Sequence, residues 1–378
     1  MRRAFRYRLY PNRTQARALA ALLDGGRWLY NAAREQRITE WQWHGRSIRY
    51  LDQAKELKVA RDADPILSLL NYSCCQDVLR RLHKAFDAFF RRCKRGEIPG
   101  YPRFKGRDRF NSVTFPKHGD GIKLGLSKLY VQNVGPIRIK LHRPIEGKLK
   151  TVTLRREPSG HWYACCSCDE VPARTYPEPI HLEVGIDMGL TAFATFTNRQ
   201  PAENPRWYRK TEEKLADAQR VLATKTKGIS ARRKAKLRVA RLHEKAKEQR
   251  RDFQHKLAHE IVSENAHISV EDLRPNEMIE RSSSGLTKSI LDAAWRAFLT
   301  LLACKAEEAG RTFVKVPPRG TSSICSGCGA FRQKTLDERV HRCEVCGLVM
   351  DRDLNAALNI LALGRSAGCP SEARSRLL

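Results

Sequence analysis

The stretch Cys325-Ser-Gly-Cys328, fourteen residues, then Cys343-Glu-Val-Cys346-Gly-Leu-Val-Met350-Asp351-Arg-Asp353-Leu-Asn355-Ala-Ala-Leu-Asn-Ile360 decides how this chain is organised. Two Cys-x-x-Cys turns at this separation predict one tetrathiolate zinc site, because each tight turn aims two sulfurs at one point. Gly329 and Gly347 follow the second cysteine of each pair, where such a turn needs positive φ. Two disulfides or scattered core thiols are the alternative, and the paired spacing argues against it. Asp351 and Asp353 come next, at the start of an apolar helix. Carboxylates therefore stand beside a metal-stapled ribbon.

Outward from this stretch, the composition narrows the partners. The chain has 378 residues, enough for two or three domains, and 41% of them are hydrophobic, so it can build real cores. Lys and Arg total 71 against 41 Asp and Glu, a formal net charge of +30. That excess goes far beyond what solubility needs and points to a polyanion, nucleic acid first. No run approaches the about eighteen apolar residues of a membrane span. The N-terminus, Met-Arg-Arg-Ala-Phe-Arg-Tyr-Arg-Leu-Tyr, lacks the apolar segment of a secretory signal. Cys74, Cys75, Cys93, Cys165, Cys166, Cys168, Cys304 and Cys369 form no regular framework and read as reduced thiols of an intracellular protein. Cys166 and Cys168 share one face of a strand, where packing is the better reading than ligation.

Residues 2–10 alternate with Phe5, Tyr7 and Leu9 on one side, a strand period. Thr14 reads as an N-cap, and residues 14–95 are mostly helical, with Leu79, Leu82, Phe86, Phe89 and Phe90 at helical spacing. Short strands broken by Gly, Pro and Asn follow from Ser112 to Cys168 and suggest a small antiparallel barrel. Residues 2–10 lack a partner in the helical stretch, so they join this barrel and the helices become an insertion. A Pro-rich linker surrounds Pro172–Pro179. Beyond it lie a buried strand ending at Asp187, a second strand, a long basic helix or helical pair over 206–264, a strand ending at Glu271, an amphipathic helix and a strand over 312–316.

Asp187 and Glu271 end strands, and Asp353 opens a helix. Such positions can converge on one rim of an α/β sheet, where gathered carboxylates repel unless divalent cations bridge them. Hard oxygen ligands suit Mg²⁺, and two such ions can clamp the attacking and leaving oxygens of a phosphodiester. This is the arrangement of an RNase H-like nuclease. Taken singly, each residue has an ordinary role: turn chemistry, a solvated strand end, an N-cap. Their order in one basic chain favours the joint reading. Asp351, Glu183 and Asp272 are rival ligands; Asp353 is favoured, and Asp351 is expected to be a cap or to support the ligands from behind.

The residues then match a family. Val184-Gly-Ile-Asp-Met-Gly-Leu190, Arg241-Leu-His-Glu-Lys245, Arg251-Asp-Phe-Gln-His-Lys-Leu257, Val270-Glu-Asp-Leu273, the cysteine quartet, Asp351-Arg-Asp-Leu-Asn-Ala-Ala-Leu-Asn-Ile360 and Pro102-Arg-Phe-Lys105 resemble TnpB, the transposon-encoded RNA-guided nucleases related to type V CRISPR effectors. The resemblance covers nearly the whole chain. It implies an α+β multidomain fold: a small β-barrel (wedge) with a helical recognition insertion, then an RNase H-like RuvC α/β domain with an inserted zinc ribbon. The expected boundaries are 1–11 for the first wedge strand, 12–110 for the insertion and 111–171 for the rest of the wedge. A linker over 172–180 leads to the RuvC domain over 181–319. The zinc-bearing target-nucleic-acid-binding insert spans 320–349, the last RuvC helix 350–364, and 365–378 form a disordered tail. Asp187, Glu271 and Asp353 are implied as catalytic Mg²⁺ ligands, two ions per site, and Cys325, Cys328, Cys343 and Cys346 as ligands of one structural Zn²⁺. The guide would be a transposon-end RNA, one protein per RNA, and the target double-stranded DNA beside a short adjacent motif. Such a nuclease would be cytoplasmic, associated with the nucleoid of a prokaryote. Met188 and Cys304 depart from the usual leucine and tyrosine, both as packing changes.

Thirteen Lys or Arg and three acids lie between Lys225 and Lys256. So one-signed a run repels itself without a partner, which assigns Arg232, Arg233, Lys234, Lys236, Arg241 and Lys245 to a nucleic-acid backbone. The loop with Arg103 and Lys105 adds Tyr101, Phe104 and Phe110, rings that can stack on bases or pack in a core. Two other functions stay open at this point: a nuclease-dead RNA-guided repressor, which the intact carboxylates oppose, and a transposase acting without RNA.

Overall fold

The computed structural model describes residues 1–280, 282–318, 320–335 and 338–368. The chain divides into two compact units, Met1–Pro172 and Ala173–Leu378.

In the first unit seven strands form one antiparallel sheet: β1 (Arg3–Tyr10), β2 (Ser112–Phe115), β3 (Ile122–Leu124), β4 (Lys128–Val131), β5 (Gly135–Lys140), β6 (Lys148–Arg156) and β7 (Trp162–Asp169). Their order is β2-β6-β7-β1-β5-β4-β3, curled into a nearly closed barrel. β1 is central, with Phe5 opposite Cys166 on β7 and Leu9 opposite Ile139 on β5. The two-residue period explains this place: Phe5, Tyr7 and Leu9 are buried together with Val113, Phe115, Ile137, Val152, Leu154 and Trp162. Cys166 and Cys168 are buried in the same core and packed, not ligating.

Between β1 and β2 come α1 (Arg13–His44), α2 (Tyr50–Ala63), α3 (Pro65–Ser68) and α4 (Tyr72–Lys94). The cap of α1 is Asn12, not Thr14. Asn12 Oδ1 accepts the Gln15 N–H at 2.8 Å and Gln15 Oε1 accepts the Asn12 N–H at 3.1 Å, a reciprocal capping box that Thr14 cannot offer from inside the first turn. α4 lays Cys74, Val78, Leu79, Leu82 and Phe86 into the core.

The second unit holds a five-stranded sheet. Its strands are β8 (His181–Met188), β9 (Ala192–Phe196), β10 (Ala202–Glu203), β11 (Asn265–Glu271) and β12 (Thr312–Val316), in the order β10-β9-β8-β11-β12. β8, β9 and β10 pair antiparallel, and β11 lies parallel between β8 and β12. Helices make the crossovers: α5 (Trp207–Ala223) and α6 (Ser230–Glu264) before β11, then α7 (Pro275–Glu280), α8 (Ser284–Ala293) and α9 (Trp295–Glu308) before β12. Phe193 of β9, Phe253 of α6 and Phe298 of α9 meet edge to face at 5.0–5.1 Å between centroids. A two-stranded ribbon, β13 (Val340–Arg342) with β14 (Val349–Asp351), precedes α10 (Arg352–Gly368).

α10 lies against β8, β11 and β12. Two glycines allow it to come that close. A Cβ on Gly185 would stand 2.1 Å from the Ala357 carbonyl oxygen, and one on Gly364 would stand 1.9 Å from Ser269 Oγ. Gly185 thus lets the strand meet the helix backbone, and Gly364 lets the helix meet the Ser269 side chain, where a Cβ would hold them apart. α10 continues to Gly368, four residues into the stretch expected as tail, and residues 369–378 with Cys369 lie outside the described residues. No helix among the described residues is long and apolar enough to cross a membrane.

Candidate active site and metal centre

Register brings the first two carboxylates together. Val270 of β11 is paired with Ile186 of β8 in parallel, so the next residues along, Glu271 and Asp187, stand level at the carboxyl ends of neighbouring strands. Asp353 lies in the first turn of α10, whose packing on these strands carries it to the same edge. Asp187 feels the charges of the other two. Burial pushes the Asp187 carboxyl up to about 8, and the negative charges of Glu271 and Asp353 push it the same way, while Arg352 pulls it back. Burial also raises Glu271, and a hydrogen bond from Thr321 partly offsets that. Arg352 Nε lies 3.5 Å from Asp353 Oδ1.

The rival carboxylates have other employment. Asp351 Oδ1 accepts the N–H groups of Asp353 at 2.8 Å and Leu354 at 3.0 Å, which makes it the cap of α10. Glu183 is tied to Arg365, whose hydrogen bond holds its carboxyl below the usual range. Asp272 pairs with Lys315 at 3.5 Å on the surface.

A buried carboxyl held protonated has a measurable signature. In the unfolded chain an aspartate ionises at about 3.9. In the folded, metal-free protein Asp187 keeps its proton to about pH 8. A pKa raised by folding contributes stability that is fully present below the unfolded value and lost as pH rises through the folded one. Asp187→Asn cannot ionise. In divalent-free buffer it is expected to melt higher than the parent, by a margin near zero at pH 4 that widens up to about pH 8. A margin constant across that range would show that Asp187 is not a buried acid.

The cysteine quartet is closed. Among the described residues it is the group of three or more His, Cys, Asp or Glu whose donor atoms all lie within 4.8 Å of one another; the three carboxylates are not gathered so tightly. Cys325 Sγ and Cys346 Sγ are 3.6 Å apart, Cys328 Sγ and Cys343 Sγ 3.5 Å. A disulfide would need about 2.05 Å. Sulfurs at about 2.3 Å from a tetrahedral Zn²⁺ would be about 3.8 Å apart, so the set fits that ion. Backbone N–H groups of Cys346 and Val345 aimed at the Cys343 sulfur, with burial opposing them, pull that thiol down, while Cys328 and Cys346 are raised, so in the absence of a cation the negative charge gathers on Cys343.

The quartet is fastened to the carboxylate edge through residues that sequence reasoning missed. Asn355, fully buried on α10, accepts the Ser326 N–H at 2.9 Å and donates to the Ile324 carbonyl at 2.8 Å. Asn359, one turn on, donates to the carbonyls of Thr321 at 2.8 Å and Ile324 at 2.7 Å. The available signal was two asparagines four apart within an otherwise apolar helix face of Ala356, Ala357, Ile360 and Leu361.

The expected nucleic-acid residues divide. Arg233, Lys234, Lys236, Arg241 and Lys245 face solvent on α6. Arg232 instead turns back on the carbonyls of Leu222 and Lys225 at the end of α5, where it satisfies a helix C-terminus. Of the loop rings, Phe110 is buried against Tyr30, Tyr101 stands edge-on to Phe86 and Phe89, and Phe104 is 58% exposed. Asn31 clamps the loop by a double hydrogen bond with the Lys105 backbone at 2.9 and 3.0 Å, leaving Arg103 exposed beside Phe104.

Residues 165–282 match the "Probable transposase" model of OrfB from IS605, and residues 295–360 match the "Cas12f1-like, TNB domain" model. Residues 1–46 match a model described as a helix-turn-helix domain, yet here they form strand β1 and one unbroken helix α1. A "Putative RNA-guided DNA endonuclease" of Streptomyces pristinaespiralis is 34% identical over 97% of this chain and 90% of its own length. The "Putative RNA-guided DNA endonuclease InsQ" of Escherichia coli K12 is 30% identical over 96% of this chain and 92% of its own. In fold, the chain is similar to the protein in a Cas12f1-sgRNA-target DNA complex, with a TM-score of 0.55 at 16% identity over 90% of this chain and 81% of the other.

Proposed function

The chain belongs to the TnpB family, and from that premise we propose that it is an RNA-guided DNA endonuclease of a transposon whose second unit is a RuvC-type, RNase H-like nuclease domain with Asp187, Glu271 and Asp353 as its metal-binding carboxylates. The observation that carries the assignment is the level placement of Asp187 and Glu271 on parallel β8 and β11 with the start of α10 at the same edge. Three buried or half-buried carboxylates, two of which raise the proton affinity of the third, Asp187, form a hard-oxygen donor set, and such a set suits Mg²⁺. Two bound Mg²⁺ would supply an activated water and charge neutralisation at a phosphodiester. The chain's own residues do the rest. Asp187 and Glu271, fixed on rigid strands, hold the ligand oxygens with little reorganisation. Asp351 caps α10 and so fixes the turn that presents Asp353. Arg352, beside Asp353, limits the repulsion among the carboxylates.

The net charge of +30 and the solvent-facing cations of α6 support a long phosphate backbone as the bound partner: a guide RNA and its heteroduplex with DNA. Arg103, Lys105 and the exposed Phe104 form a second contact, where a ring flanked by cations can take an unpaired base. The cysteine quartet, carrying Zn²⁺, braces the insert that lies against the target.

The test uses protein and the RNA that co-purifies with it. RNA from the transposon end is expected to raise the melting temperature, because it binds the folded chain only. Its affinity is expected to fall by roughly a thousandfold between 50 and 200 mM salt, as many phosphate contacts release counterions. With Mg²⁺, the complex cuts a plasmid matched to the guide and spares an unmatched one. RNA that leaves the melt unchanged, or cutting that ignores the guide, would rule the reading out.

A further inference from the structure

One buried hydrogen bond joins the zinc-bearing segment to the carboxylate edge. Thr321 Oγ1 donates to Glu271 Oε1 at 2.9 Å across fifty residues of sequence, with Thr321 4% and Glu271 8% exposed. Thr321 is itself held. Its carbonyl accepts from Asn359 of α10, and the same asparagine, with Asn355, binds Ile324 immediately before Cys325. A line of contacts therefore runs from α10, the helix that carries Asp353, through the first cysteine turn to the Glu271 carboxylate.

We propose that Thr321 is a positioning residue for the nuclease site: its hydroxyl fixes the Glu271 carboxylate for divalent-cation binding, and the zinc segment's seating on α10 fixes Thr321. The proposal rests on the assignment of Glu271 as a metal ligand. A carboxylate with one oxygen tied to a hydroxyl loses rotational freedom and keeps its second oxygen for a cation. Without that bond the side chain can rotate, and each cation then pays the ordering entropy on binding. Partners behind a ligand of this kind typically contribute about 10- to 100-fold in metal affinity. A hydroxyl buried solely for packing would behave differently. Its loss would change the melting temperature and leave cation affinity alone.

The experiment compares Thr321→Val, which keeps shape and removes the donor, with Thr321→Ser, which keeps the donor. Both are made in the full chain bound to its RNA, with zinc content and melting temperature measured alongside. Mn²⁺ binding, read by electron paramagnetic resonance, is the primary readout. Thr321→Val is expected to keep its zinc and bind Mn²⁺ about tenfold more weakly, with cleavage recovered by raised Mg²⁺. Thr321→Ser is expected to match the parent. In a Glu271→Ala background, Thr321→Val should have no further effect on Mn²⁺ binding, because the hydroxyl then has nothing to hold. Parent-like Mn²⁺ affinity in Thr321→Val overturns the proposal. So does a Thr321→Ser protein as weak as Thr321→Val, or an undiminished effect without Glu271. Should Glu271→Ala alone leave Mn²⁺ binding untouched, the ligand assignment fails, and the role of Thr321 fails with it. That result is distinct from a failure at Thr321 only.

Discussion

Asp187→Ala, Glu271→Ala and Asp353→Ala are each expected to lower cleavage of a guide-matched plasmid by at least about a thousandfold, while guide RNA and target DNA still bind. Each substitution removes an oxygen from the carboxylate set at the ends of β8 and β11 and the start of α10. The loss amounts to about 4 kcal/mol or more of transition-state stabilisation, the scale of a charge-stabilising group at a reacting phosphate. Binding depends on base pairing and on cations elsewhere, such as those on α6, which these changes leave in place. The folded state should not suffer either. Glu271 and Asp353 both raise the proton affinity of Asp187, so removing either charge eases the ionisation of Asp187, and removing Asp187 deletes a desolvated carboxyl from the metal-free protein. Asp351→Ala is the contrast. It removes two hydrogen bonds to the first turn of α10 and should cost on the order of 1 kcal/mol of stability with only a modest loss of rate. Cleavage is measured beside filter binding for all four variants. An Asp351→Ala protein that is dead while Asp353→Ala still cuts would exchange their roles, and parent-like cutting by all three alanine variants would refute the nuclease site.

What the sequence revealed of this site has a physical pattern. Asp187 and Glu271 each close an apolar run, and a strand end is a local property, so their positions could be read directly. The cysteine turns are local too, four residues apiece with glycine next, and their convergence followed from metal geometry. The barrel could be read because a period of two runs through β1 and β7 without interruption. Long-range contacts with no periodic signature were hidden. Thr321 is one threonine among many until the fold sets it against Glu271. Gly185 looks like a strand weakness until α10 needs its missing Cβ. Arg232 belonged to a basic run, and charge counting could not separate a residue bound to a helix end from its solvent-facing neighbours. Thr14 lost the capping role to Asn12 because the reciprocal bond needs a partner three residues on, and Gln15 stands at that distance from Asn12.

Cys325→Ser and Cys343→Ser are each expected to abolish zinc binding and unfold the segment from about residue 320 to 349 while the two units' cores persist. The segment has little else to fold it. Among its described residues, regular structure is limited to the three-residue strand β13 and the start of β14, and the buried side chains are few: Cys325, Cys343, His341 and Thr321. Backbone ordering costs about 1–2 kcal/mol per residue, which so small a core cannot offset. Structural Zn²⁺ contributes about 10–16 kcal/mol in comparable tetrathiolate and mixed sites, so the metal's binding energy is the segment's folding energy. The sheet of β8 to β12 keeps its own core of Val184, Ile186, Phe193, Ile268, Val270 and Phe298, none of which lies in the segment. Loss should therefore be local. Metal analysis would find one zinc per parent chain and none in the variants, and limited proteolysis would cut the variants between 320 and 349 first. Cleavage of DNA should fall as well, because the unfolded segment no longer holds Thr321 against Glu271 or braces α10 through Asn355 and Asn359. A reducing agent should change nothing, since sulfurs 3.5 and 3.6 Å apart are not bonded to each other. Zinc retained by both serine variants, or a segment equally resistant to protease without metal, would show that the ribbon stands by packing alone.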